Sequence, residues 1–425
     1  MHKKFTLNNG IKVITRKIPH MRSVSIGIWI NTGSIAETDE NNGVSHFIEH
    51  MLFKGTVNRS AKEIACHMDS IGGQLNAFTS KECTCYYAKV LDSHIDTSID
   101  ILSDMLLNSK FDDNDILKEK SVVCEEISMY EDSPEDLVYD SLSKTIFHKH
   151  SLGYPILGTY DSVESLKRED ILKFMESNYT SDNIVISVAG SFDEKHLADV
   201  LNEKFGHSAF KPSNAKNINT PIFHSNFTYK NKDIEQVHVC LGFEGIPNNG
   251  EQNLYPLYVL NNIFGGSMSS RLFQSVREEH GLAYSIYSHP SFYKNFGLFS
   301  IYLSLNPSQL SNAVRLISEE INTLINDCIT TDELNRSKEQ LKGNYILGLE
   351  STSGIMTMLG RSEIYGKKIR SMEEVLKIID DINMSDIRNV VDKIFTSDKV
   401  SLSLVGKLDE KITKNTFDYI KGSLS

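Results

Sequence analysis

Residues 178–193 read NYTSDNIVISVAGSFD, and residues 394–409 read IFTSDKVSLSLVGKLD. The two stretches align without a gap at an offset of 216 (394 − 178) and share Thr-Ser-Asp, a serine inside the apolar run, the glycine after it and the final aspartate. Each predicts a turn followed by a strand entering a core, because Val, Ile and Leu fill the run and turn-forming residues bound it. An offset of about half of the 425-residue chain implies two similar halves in tandem. An early strand in each half is patterned alike, Val24-Ser-Ile-Gly-Ile-Trp-Ile30 in the first and Val237-His-Val-Cys-Leu-Gly-Phe243 in the second.

Amphipathic helices are predicted over Ser60–Ile71, His94–Asn108, Asp115–Tyr130, Leu310–Asn326 and Thr331–Leu349, and strands over Lys12–Thr15, Thr84–Val90 and Gly297–Leu305. The elements do not alternate as strict βα units, which favours an α+β fold over a doubly wound sheet. The expected architecture is two tandem homologous α/β-sandwich domains, each a mixed or antiparallel sheet with helices packed on it. The stretch 208–223 is polar, carries two prolines and lacks periodicity. It reads as a linker between domains at 1–207 and 224–425.

Composition narrows the function classes. Forty-four Lys+Arg against 56 Asp+Glu give a net charge of −12, which argues against nucleic acid or an anionic membrane as the main partner. No apolar run approaches the roughly 18 residues of a membrane span. The start, Met-His-Lys-Lys-Phe-Thr-Leu-Asn-Asn-Gly, has no apolar core of a secretion signal. Cysteines at 66, 83, 85, 124, 240 and 328 form no CxxC pair and read as reduced thiols. A cytoplasmic location is expected.

The chemistry sits in VSHFIEHMLFKGT, where His46 and His50 stand four residues apart with Glu49 between them. On a helix that spacing projects both imidazoles from one face, and Glu49 leans toward the same side. Two neutral imidazoles can bind Zn²⁺, and a neighbouring carboxylate can take a proton from water activated there. A third ligand must come from elsewhere. Chance alone would produce HxxEH in about one such chain in thirty, so two ordinary helix histidines remain an alternative on this pentapeptide alone.

HxxEH is the inverzincin motif, and with it the sequence resembles the pitrilysin-type zinc peptidases, whose small two-repeat branch includes mitochondrial processing peptidase and bacterial processing proteases. The resemblance spans almost the whole chain, from NNGIKVI and NTGSIAE through the HxxEH helix to LGYPILGT and RLFQSVREEHGLAYS. It implies a glutamate helix about 75 residues after the histidines, here Glu119-Lys-Ser-Val-Val-Cys-Glu125-Glu126. Glu126 would be the third metal ligand. Glu119, seven residues earlier and on the same helical face, would steady a histidine N–H, with a plain surface glutamate as the alternative. Glu125, about 100° round the helix, is the lesser candidate ligand. Gly72-Gly-Gln-Leu-Asn76-Ala77-Phe78 predicts a turn feeding an edge strand, which in this family takes up substrate as an added strand; a simple hairpin end is the alternative.

The second half has no HxxEH, and its lone His280 lacks ligand spacing. Arg277 and Tyr284 match the family's arginine–tyrosine pair of the non-metal domain, which implies donors to the substrate or the developing oxyanion. Read from the residues alone, they are a structural arginine paired with Glu278 or Glu279 and a core tyrosine. Gly265-Gly266 lacks the continuation of a phosphate-binding loop. The resemblance thus implies a zinc metalloendopeptidase with one Zn²⁺ per chain, cleaving short unfolded peptides or presequence-like segments in a chamber closed by a homodimer. His46, His50 and Glu126 would bind the metal, and Glu49, Arg277 and Tyr284 would act in catalysis. Rival readings are a non-catalytic assembly or peptide-binding subunit and a metal hydrolase acting on another bond.

Overall fold

The computed structural model describes residues 2–208, 210, 219–249 and 251–424, so most of the expected linker, 208–223, lies outside the described residues. Two compact units emerge, each built on one sheet. The first sheet contains β1 (Lys3–Thr6), β2 (Lys12–Lys17), β3 (Ser23–Ile30), β4 (Gln74–Thr79), β5 (Thr84–Leu91) and β6 (Ile184–Gly190), in spatial order β1-β2-β6-β3-β5-β4. The second contains β7 (Phe227–Asn231), β8 (Val237–Gly245), β9 (Ala283–Phe292), β10 (Gly297–Leu305) and β11 (Val400–Gly406), in order β7-β11-β8-β10-β9. β6 runs parallel to β2 and antiparallel to β3, as β11 runs parallel to β7 and antiparallel to β8. Both sheets are therefore mixed and share one pairing pattern, with β1 as the additional strand of the first.

The repeated stretches occupy the same place in each unit. A helix ends at Asn178 and another at Ile394, β6 and β11 follow, and Asp193 and Asp409 then accept the N–H groups that open the next helix. All seven residues of each strand are buried. Along β6, Ile184, Ile186 and Val188 enter one apolar layer while Val185 and Ala189 enter the other. A strand covered on both faces needs an apolar residue at nearly every position, which explains the runs seen in the sequence.

The compact units are interleaved relative to contiguous blocks at 1–207 and 224–425. Unit one includes Ile346–Ser371 and unit two includes Met129–Gly153. The reason is the second face of each sheet, which the helices of the same half leave apolar and uncovered. In the first unit helix Thr352–Ile364 fills this place: Ile355, Met356 and Leu359 cluster with Ile14, Trp29 and Val185. The Trp29 indole N–H donates to Ser187 Oγ at 2.8 Å. A Cβ on Gly360 would fall 2.1 Å from Trp29 Nε1, so only glycine admits this contact. In the second unit helix Pro134–Phe147 covers β8 and β11, with Leu142 and Ile146 seated against Gly242. Arg271 there grips Glu333 through two hydrogen bonds of 2.7 and 2.8 Å. Burial raises the Glu333 carboxyl, but the Arg271 guanidinium and the Thr330 N–H outweigh it and bring the pKa down to about 2.

Gly360→Ala should destabilise the first unit by about 1–3 kcal/mol through overpacking against Trp29; an unchanged melting temperature would show that the helix is not held so closely. For Glu333 the folded value lies below the ordinary 4.5, so its stabilisation is complete above that pH and lost as pH falls toward 2. Urea titrations of wild type and Glu333→Gln should therefore differ at neutral pH and converge near pH 2.

Candidate metal centre

Helix Val44–Met51 buries Val44, Ser45, Phe47, Ile48 and Met51, leaving His46, Glu49 and His50 on its half-buried side. The imidazole centroids lie 4.5 Å apart at 60°. Helix Asp113–Asp132 packs Ile116, Val123 and Ile127 into the same core. Seven residues turn a helix through about 700°, so Glu119 and Glu126 share a face within about 20°.

That face meets the histidines. Glu126 Oε2 lies 3.8 Å from His46 Nε2 and 3.5 Å from His50 Nε2. Among the described residues His46, His50 and Glu126 are the one group of three or more such side chains suited to a metal, with ligand atoms all within 4.8 Å of one another. Tetrahedral zinc with bonds of about 2.0–2.2 Å sets its ligand atoms about 3.3–3.6 Å apart, so the two glutamate–histidine distances are close to that required. The Glu126 Oε2 atom is buried without a hydrogen-bond partner, as is His46 Nδ1. A buried carboxylate oxygen without a donor is costly unless a cation satisfies it. The residues present fit the metal. Glu125 is exposed and stands outside the group.

The surrounding groups tune these side chains. Burial, helped by the nearby His50, holds His46 down at a pKa of about 3, so it stands as a neutral lone-pair donor. Burial also lowers His50, but the hydrogen bond it donates to Glu119 and the charges of Glu126, Glu119 and Glu49 leave it raised. Glu119 is buried; Oε1 sits 2.8 Å from His50 Nδ1 and Oε2 sits 2.5 Å from Lys54 Nζ. An Nδ1–H donated to Glu119 leaves the His50 Nε2 lone pair facing Glu126. Glu49 lies beside the ligands, accepts a 2.5 Å hydrogen bond from Thr79 Oγ1, and has its carboxyl pushed up by burial. Lys54 and Thr79 escape a motif search. Lys54 does stand four residues after His50, the same spacing that joins the two histidines, whereas nothing local marks Thr79.

Thr79 ends β4, the last strand of its sheet. Leu75 and Ala77 pack toward the core that carries the histidine helix, while Phe78 points to the other layer, edge-on to Trp29 at 5.7 Å. Asn76 is exposed, and its Oδ1 accepts from the Ala77 N–H at 2.8 Å. In the second unit, Arg277 lies on the π-helical turn Phe273–Glu279 and Tyr284 near the start of β9. The Arg277 guanidinium covers the Phe273 ring at 4.8 Å and the Tyr284 ring at 5.8 Å, with Glu278 Oε1 3.7 Å from its Nε. Tyr284 is 74 % exposed, not a core residue. His280 is exposed and hydrogen-bonded to the Ser275 carbonyl.

Residues 12–160 match the family described as Insulinase (Peptidase family M16), and residues 165–341 match Peptidase M16 inactive domain. The chain is 47 % identical over 398 residues to an uncharacterized zinc protease of Bacillus subtilis, YmxG, covering 94 % of this chain and 97 % of that protein. An uncharacterized zinc protease of Streptomyces coelicolor is 36 % identical over 425 residues, 98 % of this chain and 92 % of that one. A protease from Helicobacter pylori shares the fold at a TM-score of 0.87 and 23 % identity, covering 96 % of this chain and 99 % of that chain. A peptidase M16 inactive domain from Pseudomonas fluorescens does so at 0.89 and 18 %, covering 96 % and 98 %. The chain belongs to the M16 (insulinase/pitrilysin-type) peptidase family and contains two tandem M16 domains. Among the described residues no helix is long and apolar enough to cross a membrane, and all six cysteines are free.

Glu119→Gln, which changes the partner of His50, and Lys54→Met, which frees that partner, should each weaken zinc binding by about 10–100-fold. Chelator competition measures this; full affinity in both variants would remove the tether on His50.

Proposed function

We propose that the protein is a zinc-dependent endopeptidase acting on short unfolded peptides or presequence-like segments. The observation that carries this reading is the convergence of His46, His50 and Glu126 with Glu49 beside them. A bound zinc ion supplies Lewis acidity that polarises a peptide carbonyl and acidifies water. Glu49 takes the proton from the attacking water and returns it to the leaving amine. Its raised carboxyl makes it a stronger base toward the water, and it then holds the proton until the more basic leaving amine takes it. Thr79 holds the Glu49 side chain in place while the proton moves.

The free edge of β4 at Asn76, Ala77 and Phe78 aligns the substrate by backbone hydrogen bonds, which accounts for acceptance of many sequences and rejection of folded chains. The Ala77 N–H then exchanges Asn76 Oδ1 for a substrate carbonyl. Arg277 and Tyr284 donate to the substrate and the developing oxyanion; in support, both expose polar ends, and the family spacing of seven is kept. A homodimer enclosing a chamber completes the reading, with one zinc per chain in a cytoplasmic enzyme.

Glu49→Gln should retain zinc and lose cleavage of unstructured peptides by about 10²–10⁴-fold, the range of general acid–base catalysis. Mass spectrometry of a digested unfolded-peptide pool, with elemental analysis of the same samples, reads both quantities. Undiminished cleavage in the variant would refute the role of Glu49. Wild-type protein that holds zinc and cleaves nothing would favour the non-catalytic assembly subunit.

A further inference from the structure

The histidine helix Val44–Met51 has only eight residues, about 12 Å, too short to stand alone in water. Its first N–H groups need acceptors from outside the helix. The residue that opens it, Gly43, has no capping side chain, and φ is +92°. A Cβ there would fall 2.6 Å from the Leu157 carbonyl oxygen, so Ser, Asp or Asn is excluded. The acceptor comes from Glu37, in a stretch that holds none of the ligands. Its Oε2 accepts from the Gly43 N–H and from Asn42 Nδ2, both at 2.8 Å, and its Oε1 accepts from the Ser45 N–H at 2.8 Å. Glu37 is 5 % exposed. A carboxylate at this end also opposes the positive end of the helix dipole. Asn42 is itself clamped, its side-chain amide donating to the Pro155 carbonyl at 2.9 Å and its main-chain carbonyl accepting from Ser162 Oγ at 2.8 Å. NTGSIAE and LGYPILGT, two motifs without ligands, thus meet at one end of the histidine helix.

We propose that Glu37 is a positioning residue for the metal centre, anchoring the first turn of this helix and thereby setting where His46 stands; the inference rests on the metal-binding reading of His46, His50 and Glu126. The geometry separates the two histidines. His46 follows the anchored Ser45 directly, whereas His50 is tethered independently by Glu119. Releasing the first turn therefore changes the relation between the two imidazoles and does not simply loosen both. Glu37→Gln keeps the shape but turns one acceptor into an NH₂ group that faces N–H donors.

Cobalt(II) is the probe, because its visible absorption reports ligand geometry without any peptide cleavage. The full chain is loaded as wild type, Glu37→Gln, Asn42→Ala and Leu201→Ala, the last removing a fully buried side chain of the same core. Glu37→Gln should bind cobalt about tenfold more weakly with a shifted spectrum, and Asn42→Ala should move the same way by less. Leu201→Ala should lose thermal stability and keep both spectrum and affinity. Wild-type spectrum and affinity in Glu37→Gln, or equal changes in Leu201→Ala, would overturn the proposal. If Glu37→Gln fails to fold, Asn42→Ala decides, and unaltered cobalt binding there overturns it. Wild-type protein that takes up no cobalt would instead overturn the metal-centre reading itself.

Discussion

Three donor atoms must reach one point, and one helix can bring only two of them. The spacing of four aligns His46 with His50, but Glu126 lies 76 residues further along and arrives on another helix. The centre therefore depends on how two helices pack, and apolar side chains decide that. Phe47, Ile48 and Met51 from one helix and Ile116, Val123 and Ile127 from the other enter the same core. Polar contacts then refine the meeting: Glu119 reaches from the second helix to His50 and Lys54 of the first segment. The burial that fixes the helices also removes water from His46, favouring the neutral form that a metal requires.

Much of this was legible in the sequence because it follows from local periodicity. The repeated stretch marks the inner strand of each sheet, where burial on both faces leaves little choice of residue. Gly297–Leu305 and the helix after Ser60 could be read with their ends, since turn formers and a capping serine bound them. The HxxEH spacing places two imidazoles on one side of a helix, and family resemblance points to the glutamate helix. What stayed hidden is long-range. An amphipathic helix shows that it has a partner but not which sheet that is, so nothing in Thr352–Ile364 tells that it belongs against Trp29. Glu37 is equally silent, because a carboxylate that caps a helix six residues away has no local period.

The two units share one frame, yet among the described residues only the first brings together a group suited to a metal. In the first, the segment after β3 leads through the histidine helix and helix Ala61–Ser70 to the edge strand β4. In the second, the segment after β8 leads through helix Glu251–Phe264 and the turn Phe273–Glu279 to the edge strand β9. Helix Glu251–Phe264 thus takes the topological place of the histidine helix, yet Leu254, Leu257, Val259, Leu260, Ile263 and Phe264 are all buried in its core. The half-buried side of residues 252–264 carries Asn253, Tyr255, Asn261 and Asn262, with no imidazole, thiol or carboxylate to offer a cation. Arg277 and Tyr284 keep exposed polar ends near the start of β9 instead. What this unit offers in Arg277 and Tyr284 is therefore a pair of hydrogen-bond donors rather than a set of metal-binding side chains.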